Sequence, residues 1–170
     1  MDNNNDIFYS TTHGTVDQQK TILLLQSFLE ENPKAKYSLV IGTDSHEKTD
    51  DKGKRSEINL VTAVLMYRKG YGGTYFWKRK NQKNIHSLRE KIYAETMESL
   101  RFATNFVPLF KKTLNGHAPD YDLEIHVDVG THGDTRDMIK EVVGMVTGNG
   151  FVAKTKPDSY GASYVADKHT

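Results

Sequence analysis

The chain has 170 residues, 26% of them charged and 36% hydrophobic, with a formal net charge of +1. This is ordinary globular composition, and the length predicts a single domain over residues 1–170, with about residues 1–12 flexible. The absence of cysteine excludes disulfides, thiolate-bound zinc and cysteine nucleophiles. The polar N-terminal segment is unlike a signal peptide and no apolar run is long enough to cross a bilayer, so we expect a cytoplasmic protein without a membrane partner.

The first half of the chain predicts one helix and three strands. The helix extends from about Val16 to Glu31, with Thr15 and Gln18 as a capping box and Asn32 at its end. The strands that follow are rich in β-branched and aromatic residues and cover residues 37–43, 58–68 and 73–78. Their connections contain turn residues, so an antiparallel meander is expected.

The second half of the chain changes to alternating helices and strands. A helix is predicted from Ser87 to about Val107, capped by Ser87 and Glu90 and kinked or ended by Pro108. A strand over 123–129, a helix over 135–147, a strand over 151–155 and a last helix over 159–168 follow. After the leading helix the order is βββαβαβα, which predicts an α/β fold with a mixed five-stranded sheet flanked by helices.

Three acidic residues occur where this order would bring them together. Asp44 follows the first strand and Asp128 follows the fourth, so both emerge at one edge if these strands are parallel neighbours. Glu95 falls on the sheet-facing side of the long helix, whereas Glu90 and Glu98 fit its outer faces. Each residue alone has an ordinary structural explanation, and the inference depends on the set.

A fourth carboxylate comes from the last helix. Asp167 lies on that helix, and Asp158 at its start is the alternative fourth ligand. Gathered carboxylates repel one another unless cations are present, and oxygen ligands without thiolate select Mg²⁺ or Mn²⁺. The sequence therefore predicts a site for two such ions, able to activate water against a phosphodiester.

Polar residues beside these carboxylates are candidates for supporting roles. Ser45 and His46 follow Asp44 directly, and His132 lies four residues after Asp128. Their ordinary interpretation is as surface or supporting residues. The alternative is proton transfer or metal binding by one of the histidines.

A basic segment follows three aromatic residues, 75–77, before the long helix. Cations beside aromatic rings favour phosphate contacts and base stacking, so nucleic acid is the expected partner. The ordinary interpretation is a solvated loop and helix start. The candidate nucleic-acid-binding residues are Lys78, Arg79, Lys80, Lys83 and Arg89.

Several stretches resemble the YkuK-type bacterial family of predicted nucleases in the ribonuclease H-like superfamily. The most specific are IGTDSH, the segment from HVDVG to EVVGMV, and KPDSYGASYVADK. The resemblance implies a ribonuclease H-like fold with an extra N-terminal helix. It also implies that Asp44, Glu95, Asp128 and Asp167 are catalytic and hold two Mg²⁺ or Mn²⁺ ions.

The sequence alone is compatible with three functions. It does not indicate an oligomeric state. The first is a metal-dependent nuclease acting on RNA, an RNA–DNA hybrid or structured DNA. The second is a non-catalytic nucleic-acid-binding or assembly module of the same fold. The third is an ATP-binding phosphotransferase of the actin and hexokinase type, because the turn DVGTHGDT resembles a phosphate-binding turn. Proteins of that third class close two domains around a nucleotide, whereas the 170 residues of this chain are enough for one domain, so this function is the least favoured.

Overall fold

The computed structural model describes residues 6–49, 51–53, 55–116, 119–159, 165 and 168–169. This part of the chain forms a seven-stranded sheet with three α-helices and one short 3-10 helix. The strands are β1 (Ile7–Ser10), β2 (Gly14–Asp17), β3 (Tyr37–Thr49), β4 (Arg55–Arg68), β5 (Gly72–Lys83), β6 (Tyr121–His126) and β7 (Val152–Lys154). The helices are α1 (Gln18–Glu31), α2 (Leu88–Leu114), the 3-10 helix η1 (Arg136–Met138) and α3 (Ile139–Gly148).

The sheet has the strand order β2-β1-β5-β4-β3-β6-β7. Strands β3, β4 and β5 form the predicted antiparallel meander, and β6 and β7 continue the sheet in parallel beside β3. The prediction of a mixed sheet flanked by helices is confirmed, but the predicted number of five strands is wrong. The two additional strands, β1 and β2, lie beyond β5.

The N-terminal hairpin replaces the flexible segment and the helix start that the sequence predicts. Residues 7–10 pair with residues 14–17, so the first helix begins at Gln18 and not at Val16. Its cap is Asp17, whose side chain accepts a hydrogen bond from the backbone of Lys20 at 2.7 Å, and not Thr15. Phe8 is fully buried, and its ring lies 5.9 Å from that of Phe102, so tertiary packing orders a stretch that looks polar in sequence.

Helix α2 begins as predicted and extends further than predicted. The capping box of Ser87 and Glu90 is present. The helix does not end near Pro108, one of the two outcomes expected there, but continues to Leu114. Phe106 and Phe110 are fully buried on either side of the proline, and this packing offsets the loss of one helical hydrogen bond.

All three strands of the meander are longer than predicted, β3 and β5 by the most. β3 continues past Thr43 to Thr49, paired with β4 in one register as far as Lys48, and β5 continues past Lys78 to Lys83. The later helix and strand lie where they were expected, at residues 136–148 and 152–154. Most of the predicted last helix falls outside the described residues; Val165, Lys168 and His169 are helical. None of the described helices is both long and apolar enough to span a membrane.

The main core lies between α1, α2 and α3 and the sheet face formed by alternate residues of the strands. Leu39 and Ile41 of β3, Phe76 of β5 and Phe106 of α2 are fully buried there. Because side chains alternate along a strand, Thr43 and Ser45 also point towards α2, and Asp44 belongs to the opposite face. The buried hydroxyl of Ser99 donates to Thr43 Oγ1 at 2.8 Å, which fastens α2 to β3 next to the candidate site.

Candidate metal centre

Asp44 and Asp128 lie at the same level on two neighbouring parallel strands. β3 and β6 are paired up to Gly42 and His126, and each aspartate lies two residues further along the chain. The prediction that Asp44 lies at the end of its strand is wrong. β3 continues past Asp44, which pairs with Val61 of β4. Both aspartates are partly exposed. The predicted convergence of the two chain segments therefore follows from the parallel pairing.

Glu95 of α2 is the buried member of the carboxylate group. Its side chain faces the sheet, as predicted, and is 3% exposed. Its pKa is raised to about 8, mainly by burial; the negative charges of Asp44 and Asp128 add to the rise, while the hydrogen bond from Ser45 and the charge of Lys91 oppose it. The Ser45 hydroxyl donates to Glu95 Oε1 at 2.6 Å. Three carboxylates from β3, α2 and the end of β6 therefore act on one another electrostatically.

Lys156 is a site residue that the sequence did not indicate. Its Nζ lies 2.7 Å from Asp128 Oδ1. Its backbone N–H donates to the carbonyl of Val129 at 2.8 Å, which continues the parallel alignment of β6 and β7 beyond the strands. A Cβ at Gly130 would come within 3.2 Å of Lys156 Cβ, so the glycine leaves room for this approach. Lys156 precedes a proline and a predicted helix, and no sequence pattern at this position indicates an ion pair with Asp128.

The two candidates for the fourth ligand differ in what the structure says about them. Asp167 lies outside the described residues. Asp158 is exposed in the turn after β7 and lines a pocket with Val40 and Glu124. Val40 precedes Asp44 by four strand residues, about 13 Å along β3. The pocket that Asp158 lines includes residues of β3 before Asp44, and its role as the fourth ligand stays a prediction.

The carboxylate oxygens of the site are ligands that suit a hard divalent cation. Glu95 and Asp128, however, contact other side chains of the protein. In the part of the chain that the structure describes, no three His, Asp or Glu side chains are placed to hold one metal ion together. Glu95 accepts a hydrogen bond from Ser45, and Asp128 is paired with Lys156. All three carboxylates offer oxygen, and a cation among them would relieve the repulsion that raises the pKa of Glu95. The three carboxylates therefore fit a divalent cation both in ligand type and in charge.

Comparison with known proteins places the chain in a family. Residues 20–170 match the family model described as ribonuclease H-like. The chain belongs to the ribonuclease H-like family. It is also 34% identical over 172 residues to the uncharacterized protein YkuK of Bacillus subtilis (strain 168), an alignment that covers 96% of each chain. No solved structure matches the chain. The resemblance seen in the sequence motifs is confirmed.

The candidate supporting residues of this ribonuclease H-like chain have different placements. Ser45 is buried, and through its hydroxyl it holds Glu95. His46 follows on β3 with an exposed side chain, and it lines a surface hollow with Ser45 and Lys91. His132 is exposed in the loop between Asp128 and η1. Proton transfer or metal binding by either histidine stays a prediction.

The basic residues of β5 are divided between the two faces of the sheet. This segment is part of a strand and not a solvated loop. Lys78 and Lys80 point towards α2, where Lys78 pairs with Asp6 at 2.7 Å and Lys80 pairs with a buried glutamate of α2. Arg79 points to the opposite face, the face of Asp44. Of Lys78, Arg79 and Lys80, Arg79 alone shares a sheet face with Asp44.

The remaining two candidates for nucleic-acid binding lie near the start of α2. The Arg89 guanidinium is paired with Glu141 of α3 at 2.7 Å and also contacts the hydroxyl of Tyr93. Lys83 is exposed at the end of β5. The five candidates do not form one continuous basic surface, and binding by any of them stays a prediction.

Glu98 is buried, and its predicted position on the outer face of α2 is wrong. Its side chain is 4% exposed, with Arg101 at 2.6 Å and Lys80 at 3.2 Å. Burial alone would raise its pKa, but the hydrogen bond and charge of Arg101, together with Lys80, outweigh burial and lower the pKa below its usual value. The periodicity misplaced Glu98 because it does not show that the side chains of Lys80 and Arg101 reach this carboxylate.

Proposed function

We propose that this protein is a divalent-metal-dependent nuclease that hydrolyses phosphodiester bonds in RNA, RNA–DNA hybrid or structured DNA. The observation that carries the proposal is the buried Glu95, whose pKa is raised to about 8 and whose charge is coupled to Asp44 and Asp128. Burying a carboxyl group beside two others raises the free-energy cost of its charged form, and carboxyl groups with such raised pKa values cluster at functional sites. Membership of the ribonuclease H-like family supports a nucleic-acid substrate.

Asp44, Glu95 and Asp128 are the residues that would hold Mg²⁺ or Mn²⁺, with Asp167 as the proposed fourth ligand. Two such ions supply activation of water and stabilisation of the leaving oxygen. Ser45 positions Glu95 by its hydrogen bond. The side chain of Lys156 neutralises Asp128 in the absence of metal.

Cleavage of a labelled substrate panel in the presence of Mn²⁺ or Mg²⁺ tests the proposal. The panel contains single-stranded RNA, RNA–DNA hybrid, single-stranded DNA and branched DNA. We expect Asp128→Asn to lower cleavage by about 10³-fold, since a lost metal ligand removes several kcal/mol of transition-state stabilisation. The matched control is Asp122→Asn, the same substitution at an exposed position on β6, which should retain wild-type activity.

Each other outcome of this experiment has a definite meaning. Equal cleavage by wild type and Asp128→Asn would show that the activity comes from a contaminant. Metal binding without cleavage of any substrate would contradict the nuclease and favour a non-catalytic nucleic-acid-binding module.

The ion pair of Lys156 with Asp128 predicts competition between the ammonium group and metal. Lys156 Nζ and a divalent cation require the same carboxylate, so we expect Lys156→Met to bind Mn²⁺ about threefold more tightly than wild type. Isothermal titration in the absence of nucleic acid measures the affinity. Lys154→Met, a change two residues earlier on β7, is the control and should leave the affinity unchanged. Weaker Mn²⁺ binding by Lys156→Met would show that the lysine supports the metal site.

A further inference from the structure

A cluster of aromatic rings and one arginine lies on the sheet face that carries Asp44. We call it the Trp77 cluster; it consists of Tyr9, Tyr75, Trp77, Arg79 and His169. The rings of Tyr9 and Tyr75 lie 6.1 and 5.8 Å from that of Trp77, and the Arg79 guanidinium lies 5.9 Å from the Tyr9 ring. These residues belong to neither the main core nor the carboxylate group.

The register of the sheet places this cluster beside the candidate metal centre. Asp44 pairs with Val61 of β4, and Val61 pairs with Arg79 of β5. Residues opposite one another in a sheet share a face, and two strand spacings amount to about 10 Å. Trp77 lies two residues before Arg79, on the same strand and face. Arg79 and Trp77 therefore share this face with Asp44, with Arg79 about two strand spacings away; Val61, which lies between Asp44 and Arg79, is fully buried, and Trp77 is buried beside it.

His169 lies on Trp77 as a nucleobase would. The imidazole and indole rings are nearly parallel, at 7°, with their centroids 3.7 Å apart. The carbonyl of His169 accepts a hydrogen bond from Arg79 at 2.8 Å, and its ring lies within 3.3 Å of the Tyr75 hydroxyl. The buried indole Nε1 of Trp77 has no hydrogen-bond partner among the residues that the structure describes. A flat ring stacked on indole beside an arginine is the arrangement by which proteins bind unpaired bases.

We propose that Trp77 is a stacking site for an unpaired base of the nucleic-acid substrate, with Arg79 as the adjacent phosphate contact. His169 occupies this site in the absence of nucleic acid and leaves it when a base enters. The inference rests on the proposed nuclease function, and it narrows the substrate to nucleic acid with at least one unpaired nucleotide next to the cleaved bond. Fully paired duplex presents no base to this site.

The chain contains a single tryptophan, so its fluorescence reports on this site alone. The experiment titrates the full-length protein in EDTA with single-stranded oligonucleotide or with blunt duplex of the same length. Anisotropy of the labelled nucleic acid measures binding, and tryptophan emission measures stacking. We expect the single strand to quench the emission as it binds, and the duplex to leave the emission unchanged.

Variants separate stacking from simple packing. We expect His169→Ala to bind the single strand several-fold more tightly, because the competing ring is gone, and Arg79→Gln to bind about 10-fold more weakly. The matched aromatic control is Tyr71→Ala, a 72% exposed ring in the β4–β5 turn, which should bind like wild type. None of these changes removes a residue of the main core.

The outcomes distinguish this inference from the proposed function. If the substrate panel is cleaved, while the single strand binds without a change in tryptophan emission and His169→Ala has wild-type affinity, the stacking site is overturned and the nuclease stands. If quenching occurs but Asp128→Asn and wild type show no metal-dependent cleavage of any substrate, the nuclease is overturned and the stacking site stands. Equal quenching by duplex and single strand would overturn the assignment to an unpaired base.

Discussion

Replacing Glu95 by glutamine is expected to stabilise the metal-free protein at alkaline pH. Glu95 is 3% exposed and its pKa is raised to about 8, first by burial and then by Asp44 and Asp128. Glutamine keeps the oxygen that accepts the hydrogen bond from Ser45 and carries no charge. At pH 8.5 in EDTA we expect the free energy of unfolding to rise by roughly 3–5 kcal/mol, as the difference between the folded and unfolded pKa implies.

The sign of the pH dependence follows from the direction of the shift. Between the ordinary value of 4.5 and about 8, the folded state holds a proton on Glu95 that the unfolded state has released. The wild-type protein therefore loses stability as pH rises through this window, and the difference from Glu95→Gln grows with it. Near pH 4.5 the two proteins should have nearly the same stability.

Denaturant unfolding at pH 4.5, 6.5 and 8.5 measures this difference, first in EDTA and then with excess Mg²⁺. With Mg²⁺ we expect the wild type to gain stability at pH 8.5 and Glu95→Gln to gain little, because the variant lacks a ligand. The same variant should lose cleavage by at least 10²-fold, roughly the effect expected for a metal ligand. A variant that is less stable than wild type at pH 8.5 in EDTA would contradict the burial of an unfavourable charge at Glu95.

Much of the architecture that brings the carboxylates together is present in local sequence patterns. The alternation of apolar residues predicts the meander, and the change to helical spacing at Ser87 predicts α2 with its capping box. The inward position of Glu95 follows from its spacing to Ile92 and Leu100, which are also buried. These features are predictable because they depend on residues close together in the chain.

The features that the sequence did not predict depend on contacts between distant segments. The hairpin of β1 and β2 forms because Phe8 packs on Phe102, and the pairing of Lys156 with Asp128 requires β7 to lie beside β6. Glu98 was assigned to the solvent side because no local pattern shows that β5 extends far enough to place Lys80 beside it. A local pattern shows which side of a helix is apolar, but not which strand will cover its polar side.

Glu98 lies one turn from Glu95 on the same helix, and its pKa is shifted in the opposite direction, so its replacement should have the opposite effect on stability. Its side chain is as buried as that of Glu95, but Arg101 and Lys80 hold its pKa below the usual value, although burial alone would raise it. The unfolded state therefore takes up protons at a higher pH than the folded state does. This carboxylate stabilises the fold above about pH 4.5, and the contribution is lost as pH falls through its lowered pKa.

We therefore expect Glu98→Gln to destabilise the protein at pH 7 by about 1–2 kcal/mol, a reduced figure because both cations are partly exposed to water. The loss should shrink as pH falls through the lowered pKa of Glu98, because the wild-type carboxylate then also becomes protonated. Parallel unfolding curves for Glu95→Gln and Glu98→Gln at pH 4.5 and 8.5 make the comparison, since the substitution, helix and burial are the same. Stabilisation at position 95 with destabilisation at position 98 would show that Glu95 lacks the compensating cations that Glu98 has. Equal effects at both positions would show that burial alone governs them, and the electrostatic argument for a cation at Glu95 would fail.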